Sequence, residues 1–219
     1  MRPDDLIAAW INGYVRRRVS GATDAQAVQP FPAAALGMLG EALVAGAVRE
    51  LGWPTLRNVV LGARNTSTEV DLLVRAPTSI VVLEVKTWSG FVEGSTDTEH
   101  WIRQGAGDRE AIVPNAVRQN AAHVAIVERA IGNREVRVFG LVVSAGHARY
   151  AERLRSYIVP LVQLPNVLQV QAMKMRPCPS SSLDRAWSLL TREAERSAPR
   201  REAHSARVRS RRSHQTNCE

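Results

Sequence analysis

Two carboxylates and one lysine interrupt stretches of the chain that are otherwise apolar. Asp71 lies within the apolar run 70–74, and Glu84 and Lys86 end the apolar run 79–87. Alternation with a period of two residues places Glu84 and Lys86 on the same face of a strand. A short turn between the two runs favours a hairpin, which would bring Asp71 close to Glu84.

Such an arrangement suits a divalent metal ion. Two carboxylates in a half-buried setting repel each other unless a cation lies between them. Mg²⁺ fits one or two carboxylates together with water and phosphate oxygens, and Mn²⁺ is expected to substitute for it. The ion would polarise a phosphodiester and activate water, while Lys86 would orient that water or offset developing charge. We therefore predict metal ligands at Asp71 and Glu84.

The identity of the lysine strengthens this interpretation. Of the 29 basic residues only Lys86 and Lys174 are lysine. Because the chain uses arginine almost everywhere else, lysine at position 86 indicates a need for a compact ammonium group. The alternative is that Glu84 and Lys86 form a solvated pair of little value, and that Asp71 only bonds to backbone at a strand end.

The elements that must position these residues follow from apolar periodicity and turn signals. We expect an N-terminal helix and connector over 1–32, a domain over 33–190 and a basic, disordered tail over 191–219. The domain is predicted to contain helices at 33–51 and 114–131, strands at 56–62, 69–75, 79–87 and 136–144, a hairpin at 89–104, strand and loop at 157–171, and a final helix around 183–190. This order predicts an α/β fold with a central mixed sheet flanked by helices.

A wider set of motifs resembles the nuclease-related domain (NERD) branch of the PD-(D/E)xK nuclease superfamily. The matching pieces span about residues 36–145 and are Leu39-Gly40-Glu41, Glu69-Val70-Asp71, Leu83-Glu84-Val85-Lys86-Thr87-Trp88-Ser89-Gly90, and Gln119 with His123. The resemblance implies a restriction-endonuclease-like core and dependence on a divalent metal. The family tends to have proline three residues before the glutamine, where this chain has Ala116.

The resemblance also implies roles for five residues, namely Glu41, Asp71, Glu84, Lys86 and Gln119. Glu41 would support the metal or the water, and Gln119 would contact substrate or water. Taken alone, Glu41 would be an ordinary residue at the boundary of a helix's apolar stripe. His123 lies one helical turn after Gln119 and receives no role at this point. Trp88 and Trp101 are expected to pack in the core or the hairpin rather than stack on bases.

Charge and composition limit the classes of function. The net charge of +8 favours a polyanionic partner, although residues 191–219, with eight arginines and four glutamates, hold half of that surplus. The chain has two cysteines and no apolar stretch near the roughly 20 residues of a membrane span, so we expect a cytoplasmic protein without a membrane partner.

We therefore predict a metal-dependent nuclease that acts on nucleic acid, on DNA rather than RNA. Fold and chemistry can separate, so one alternative is a catalytically inactive nucleic-acid-binding module with the same fold. A second alternative is an interaction protein that is recruited through its tail.

Overall fold

The computed structural model describes residues 33–62, 67–105 and 109–197. The predicted N-terminal helix and residues 198–219 of the predicted tail lie outside the described residues. Within the described part, a five-stranded mixed sheet forms the centre of the domain. Its strands are β1 (Thr55–Leu61), β2 (Thr68–Arg75), β3 (Ser79–Lys86), β7 (Arg137–Ser144) and β9 (Ile158–Pro160).

The strands lie in the order β1-β2-β3-β7-β9. The first three form antiparallel pairs, as expected for strands joined by short turns, whereas β3–β7 and β7–β9 are parallel. β3 therefore occupies the middle of the sheet, and six of its eight residues are buried. Its position explains why the run is almost continuously apolar up to Val85.

Helices cover both faces of this sheet. They are α1 (Ala33–Arg49), α2 (Ala116–Ile131), the short α3 (Glu152–Arg155), α4 (Leu164–Lys174) and α5, which is helical over residues 180–197. α1 and α4 pack on the face that presents Leu83, and α2 and α5 pack on the face that presents Val82. The result is a three-layer α/β/α arrangement.

A second, four-stranded sheet adjoins the N-terminal end of α2. Its order is β6-β5-β4-β8, and the strands are β4 (Phe91–Glu93), β5 (His100–Gln104), β6 (Glu110–Pro114) and β8 (Arg149–Tyr150). Its inner face contributes the buried Val92, Trp101 and Tyr150 to a separate core. This sheet begins five residues after Lys86, so it borders the end of β3.

The structure confirms the predicted fold class, a mixed sheet flanked by helices in the manner of restriction endonucleases. It also confirms the strands that carry Asp71 and Glu84, and it confirms the hairpin over 89–104.

The helix predicted from residue 114 begins at Ala116, because Asn115 caps it and Pro114 still belongs to β6. The domain was predicted to end at residue 190, but α5 continues through 197, where Ser197 Oγ accepts a hydrogen bond from the backbone N–H of Val60.

The prediction of strand and loop over 157–171 was wrong for most of that region. β9 accounts for three residues, and a 3₁₀ turn (Leu161–Gln163) and α4 follow. Pro165 lies in the first turn of α4, where proline is tolerated because the amide it lacks would have no helical partner. In the part of the chain that the structure describes, no helix has both the length and the apolar character of a membrane span.

Gly40 allows α1 to approach the sheet closely. A Cβ at this position would overlap the side chain of Thr87 and would also touch Val85 and Ala145. These neighbours lie at the ends of β3 and β7. The contact therefore fixes the height of α1 over the end of β3, and Glu41 is the next residue along the helix.

Gly40→Ala is expected to destabilise the fold by about 1–3 kcal/mol, because an added methyl group forces packed elements apart. Gly46→Ala is the matched control in the same helix, since its Cβ would meet nothing. That variant should gain up to about 1 kcal/mol from the higher helix propensity of alanine. Urea unfolding of both variants measures the difference. Equal stabilisation by both would show that α1 does not depend on the close contact at Gly40.

Candidate active site

Along one face of β3, the side chains change from apolar core residues to polar site residues near the end of the strand. Ile80 and Val82 are fully buried against α2 and α5. Glu84 and Lys86 follow on the same face, with side chains 1% and 13% exposed. Because β3 stays paired with β7 as far as Lys86↔Ser144, the backbone beneath both side chains is held firmly.

Asp71 enters the site where two strands separate. Backbone pairing of β2 with β3 extends to Leu72↔Leu83. At the next position, Asp71 Oδ2 accepts a hydrogen bond of 2.8 Å from the backbone N–H of Val85. The carboxylate thus takes the place of a ladder partner. It is also close enough to Glu84 for that charge to raise the pKa of Asp71, as expected for neighbours in the predicted hairpin.

α2 supplies an amide that contacts the lysine. Asn115 caps the helix by accepting hydrogen bonds from the backbone N–H groups of Val117 and Arg118, which satisfies two of the unpaired amides of the first turn. Gln119 then faces β3. Lys86 Nζ donates to Glu84 Oε1 at 2.5 Å and to Gln119 Oε1 at 3.0 Å.

His123 occupies the other side of Glu84. Its Nδ1 lies 3.0 Å from Glu84 Oε2, and its Nε2 lies 3.1 Å from Thr68 Oγ1. The Nδ1 contact has the distance but not the alignment of a hydrogen bond, so both Nδ1 and Oε2 are buried with unused hydrogen-bonding capacity. The two oxygens of Glu84 are therefore shared between Lys86 and the histidine.

Glu41 reaches the site from α1. Its side chain is 17% exposed, and Oε2 lies 3.8 Å from the Arg57 guanidinium group. No hydrogen-bond donor within the described part of the chain satisfies that buried oxygen. Burial raises the pKa of Glu41, Asn58 and Arg57 oppose this increase, and the charge of Glu84 adds to it.

The pKa values of the two carboxylates on β2 and β3 shift in opposite directions. Burial, together with the charges of Glu84 and Glu41, raises the pKa of Asp71 from 3.8 to about 8. For Glu84, burial also disfavours the ionised form, but His123 and Lys86 outweigh it and lower the pKa. The site thus combines one ionised carboxylate with neighbours that resist ionisation, which is a common feature of catalytic centres.

The donor set fits a hard divalent cation. Asp71, Glu84 and Glu41 present carboxylate oxygens, and two of these, Oε2 of Glu41 and Oε2 of Glu84, are buried without a hydrogen-bond partner among the described residues. In the same part of the chain, no three acidic, histidine or cysteine side chains close into a complete ligand cluster. With Asp71 and Glu84 as its ligands, an ion would leave positions for water or phosphate, as Mg²⁺ usually does.

The structure brings all five predicted residues to one end of β3, where each contacts another member or affects its pKa. Sequence reasoning missed Thr68 and left His123 without a role. His123 contacts Thr68 and Glu84 across 55 and 39 residues of sequence, and contacts between such distant residues leave no periodic pattern. Sequence reasoning also missed the contact of Lys86 Nζ with Trp88, whose ring centroid is 5.3 Å away. Trp88 and Trp101 pack edge to face at 6.3 Å, so both tryptophans support the site as packing groups.

Comparison with protein families agrees with this geometry. A model of the nuclease-related domain matches residues 36–145, which is half of the chain and includes all five predicted site residues. No curated protein matches the chain.

Asp71→Asn tests the electrostatic state of the site, because it keeps the acceptor for the Val85 amide and removes the titrating group. With a pKa raised from 3.8 to about 8, folded Asp71 retains a proton that the unfolded chain releases, so its contribution to stability is lost as pH rises across that interval. Without metal, wild type should lose stability over this range relative to the variant, by up to about 1.4 kcal/mol per pH unit. At the upper end the variant should be no less stable than wild type.

Urea unfolding in the presence of a chelator, at several pH values, measures this difference. The exposed Asp97 provides a control through Asp97→Asn, which should leave the wild-type pH dependence unchanged. Added Mg²⁺ should then stabilise wild type through binding linkage and Asp71→Asn much less. If Asp71→Asn is less stable without metal and gains as much from Mg²⁺, Asp71 is a structural strand residue.

Proposed function

Because the chain belongs to the nuclease-related domain family, we propose that it is a Mg²⁺-dependent nuclease that hydrolyses phosphodiester bonds of nucleic acid, with DNA as the preferred substrate. The observation that carries the proposal is the contact of Lys86 with both Glu84 and Gln119, beside the carboxylates of Asp71 and Glu41. An ammonium group next to clustered carboxylates suits the transfer of negatively charged groups.

In this proposal Asp71 and Glu84 hold the metal, and Mn²⁺ can replace Mg²⁺. When bound, the ion polarises the phosphodiester and lowers the pKa of coordinated water. It would also offset the burial and the repulsion from Glu84 that raise the pKa of Asp71 to about 8, so that both carboxylates could be ionised with the ion in place.

Among the protein's own side chains, Lys86 acts most directly on the water and the phosphate. Its ammonium group is fixed by Glu84 Oε1 and Gln119 Oε1 and by packing near Trp88. From that position it can orient the attacking water and offset the negative charge that develops on the phosphate. Gln119 keeps a second role, since its amide N–H₂ can donate to a phosphate oxygen or to water. Glu41 would accept a proton or hydrogen bond from water through its unsatisfied Oε2.

Substrate attraction has a separate origin. The net charge of +8 favours approach of a polyanion, whereas the site itself is acidic until a cation binds. Incubation of purified protein with DNA and RNA substrates, in Mg²⁺, Mn²⁺ or chelator, tests the proposal. Metal-dependent cleavage of DNA supports it, and binding without turnover under all three conditions supports the inactive binding module instead.

Lys86→Ala should reduce cleavage by on the order of 10²- to 10³-fold, the usual cost of one group that stabilises transition-state charge. Nucleic-acid binding should be nearly unchanged, because one ammonium group contributes little to binding of the ground state. Single-turnover cleavage and equilibrium binding, together with circular dichroism as a check on folding, separate the two effects.

Lys174→Ala is the matched control, since Lys174 is the only other lysine in the chain and lies exposed in the last turn of α4. It should cleave at the wild-type rate. Lys86→Arg should remain impaired, because a planar guanidinium group cannot occupy the position of a compact ammonium group between two oxygens. Wild-type cleavage by Lys86→Ala, in protein free of contaminating nuclease, would rule out this role for Lys86.

A further inference from the structure

The strongest unexplained feature of the site is the buried imidazole of His123. Its side chain is 4% exposed and lies between Thr68 on β2 and Glu84 on β3. Sequence comparison and chemistry leave it without a role, yet both of its ring nitrogens approach polar atoms.

The surroundings select one tautomer of the ring. Glu84 Oε2 lies 3.0 Å from Nδ1, and Lys86 Nζ donates to the other oxygen of this carboxylate. A lone pair on Nδ1 would face that negative charge at close range, whereas an Nδ1–H group is attracted to it. In the tautomer with Nδ1–H, Nε2 is the acceptor, and the Thr68 hydroxyl group can donate to it.

His123 is the polar neighbour of Oε2, the second carboxylate oxygen of Glu84. Lys86 binds Oε1, and Oε2 has no fully formed hydrogen bond within the described residues. Nδ1 of His123 is the polar group that the structure shows at that oxygen. Gln119 and His123 are one helical turn apart on α2, so a single helix face contacts Lys86 and Glu84 together.

We propose that His123, oriented by Thr68, is a positioning residue that sets the orientation of the Glu84 carboxylate for metal binding. The inference rests on the proposed function for its catalytic consequence, but the Thr68–His123–Glu84 arrangement can be tested without any cleavage. Partners of this kind typically change metal affinity or activity by about 10- to 100-fold when they are removed.

Two substitutions of His123 separate its ring nitrogens. The side-chain amide nitrogen of asparagine can occupy the position of Nδ1, and that of glutamine can occupy the position of Nε2. His123→Gln should raise the Mg²⁺ concentration for half-maximal cleavage by about 10- to 100-fold. His123→Asn should recover most of that loss, although it is the smaller side chain and would be worse if packing alone mattered.

Thr68 offers a second pair of variants. Thr68→Val keeps the shape and removes the hydroxyl group, so it should change the Mg²⁺ dependence in the same direction as His123→Gln. Thr68→Ser keeps the hydroxyl group and should restore the wild-type value. His100→Gln, at an exposed histidine on β5, controls for loss of a histidine as such. Equal losses in His123→Asn and His123→Gln would overturn the proposal.

A measurement on the metal-free, full-length protein separates this inference from the proposed nuclease function. Nitrogen-15 NMR of labelled histidine side chains, assigned through His123→Asn, should show a proton on Nδ1 of the His123 ring. Glu84→Gln and Thr68→Val should each shift that resonance. A ring protonated only at Nε2 would overturn the proposal even if the protein cleaves DNA, whereas an Nδ1–H ring in a protein that cleaves nothing would refute the nuclease function alone.

Discussion

The burial of one ionised carboxylate, that of Glu84, is the constraint on which the rest of the centre depends. Its side chain is 1% exposed, and an unpaired charge at such a position costs several kcal/mol. Lys86 provides the opposite charge at one oxygen, and His123 lies against the other. Because one partner lies on the same strand and the other on α2, the spacing between helix and sheet must be kept for Glu84 to remain ionised.

The central sheet provides room for the site because β3 pairs along different lengths with its two neighbouring strands. On one side β3 pairs with β7 up to Lys86, and on the other its pairing with β2 extends to Leu83. Beyond that point Asp71 replaces a backbone partner by accepting from the Val85 amide. The opening between β2 and β3 therefore costs no unsatisfied amide at Val85, and it lets a second carboxylate enter beside the first.

Sequence reasoning reached the parts of this arrangement that local periodicity determines. Alternation along β3 and the turn before it were sufficient to place Asp71 near Glu84, and the scarcity of lysine singled out Lys86. It failed at α4, where Pro165 and the residues around it were read as strand and loop, because proline in a first helical turn looks the same in sequence as proline in a loop. The contacts of His123 with Thr68 and Glu84 depend on how α2 packs across the sheet, and no local pattern specifies that distance.

The electrostatics of the centre also bear on the choice between a nuclease and an inactive module that only binds nucleic acid. The charge of Glu84 raises the pKa values of Asp71 and Glu41, and the charge of Glu41 also raises the pKa of Asp71. As anions, all three repel phosphate. A module that only binds nucleic acid would gain stability and affinity by replacing at least one of them with a neutral residue. Once a divalent cation is bound, the same carboxylates become an attractive site for a phosphate group. Under the proposed function a bound cation would offset this repulsion, so the position of these carboxylates next to Lys86 suits chemistry at the phosphate better than binding alone.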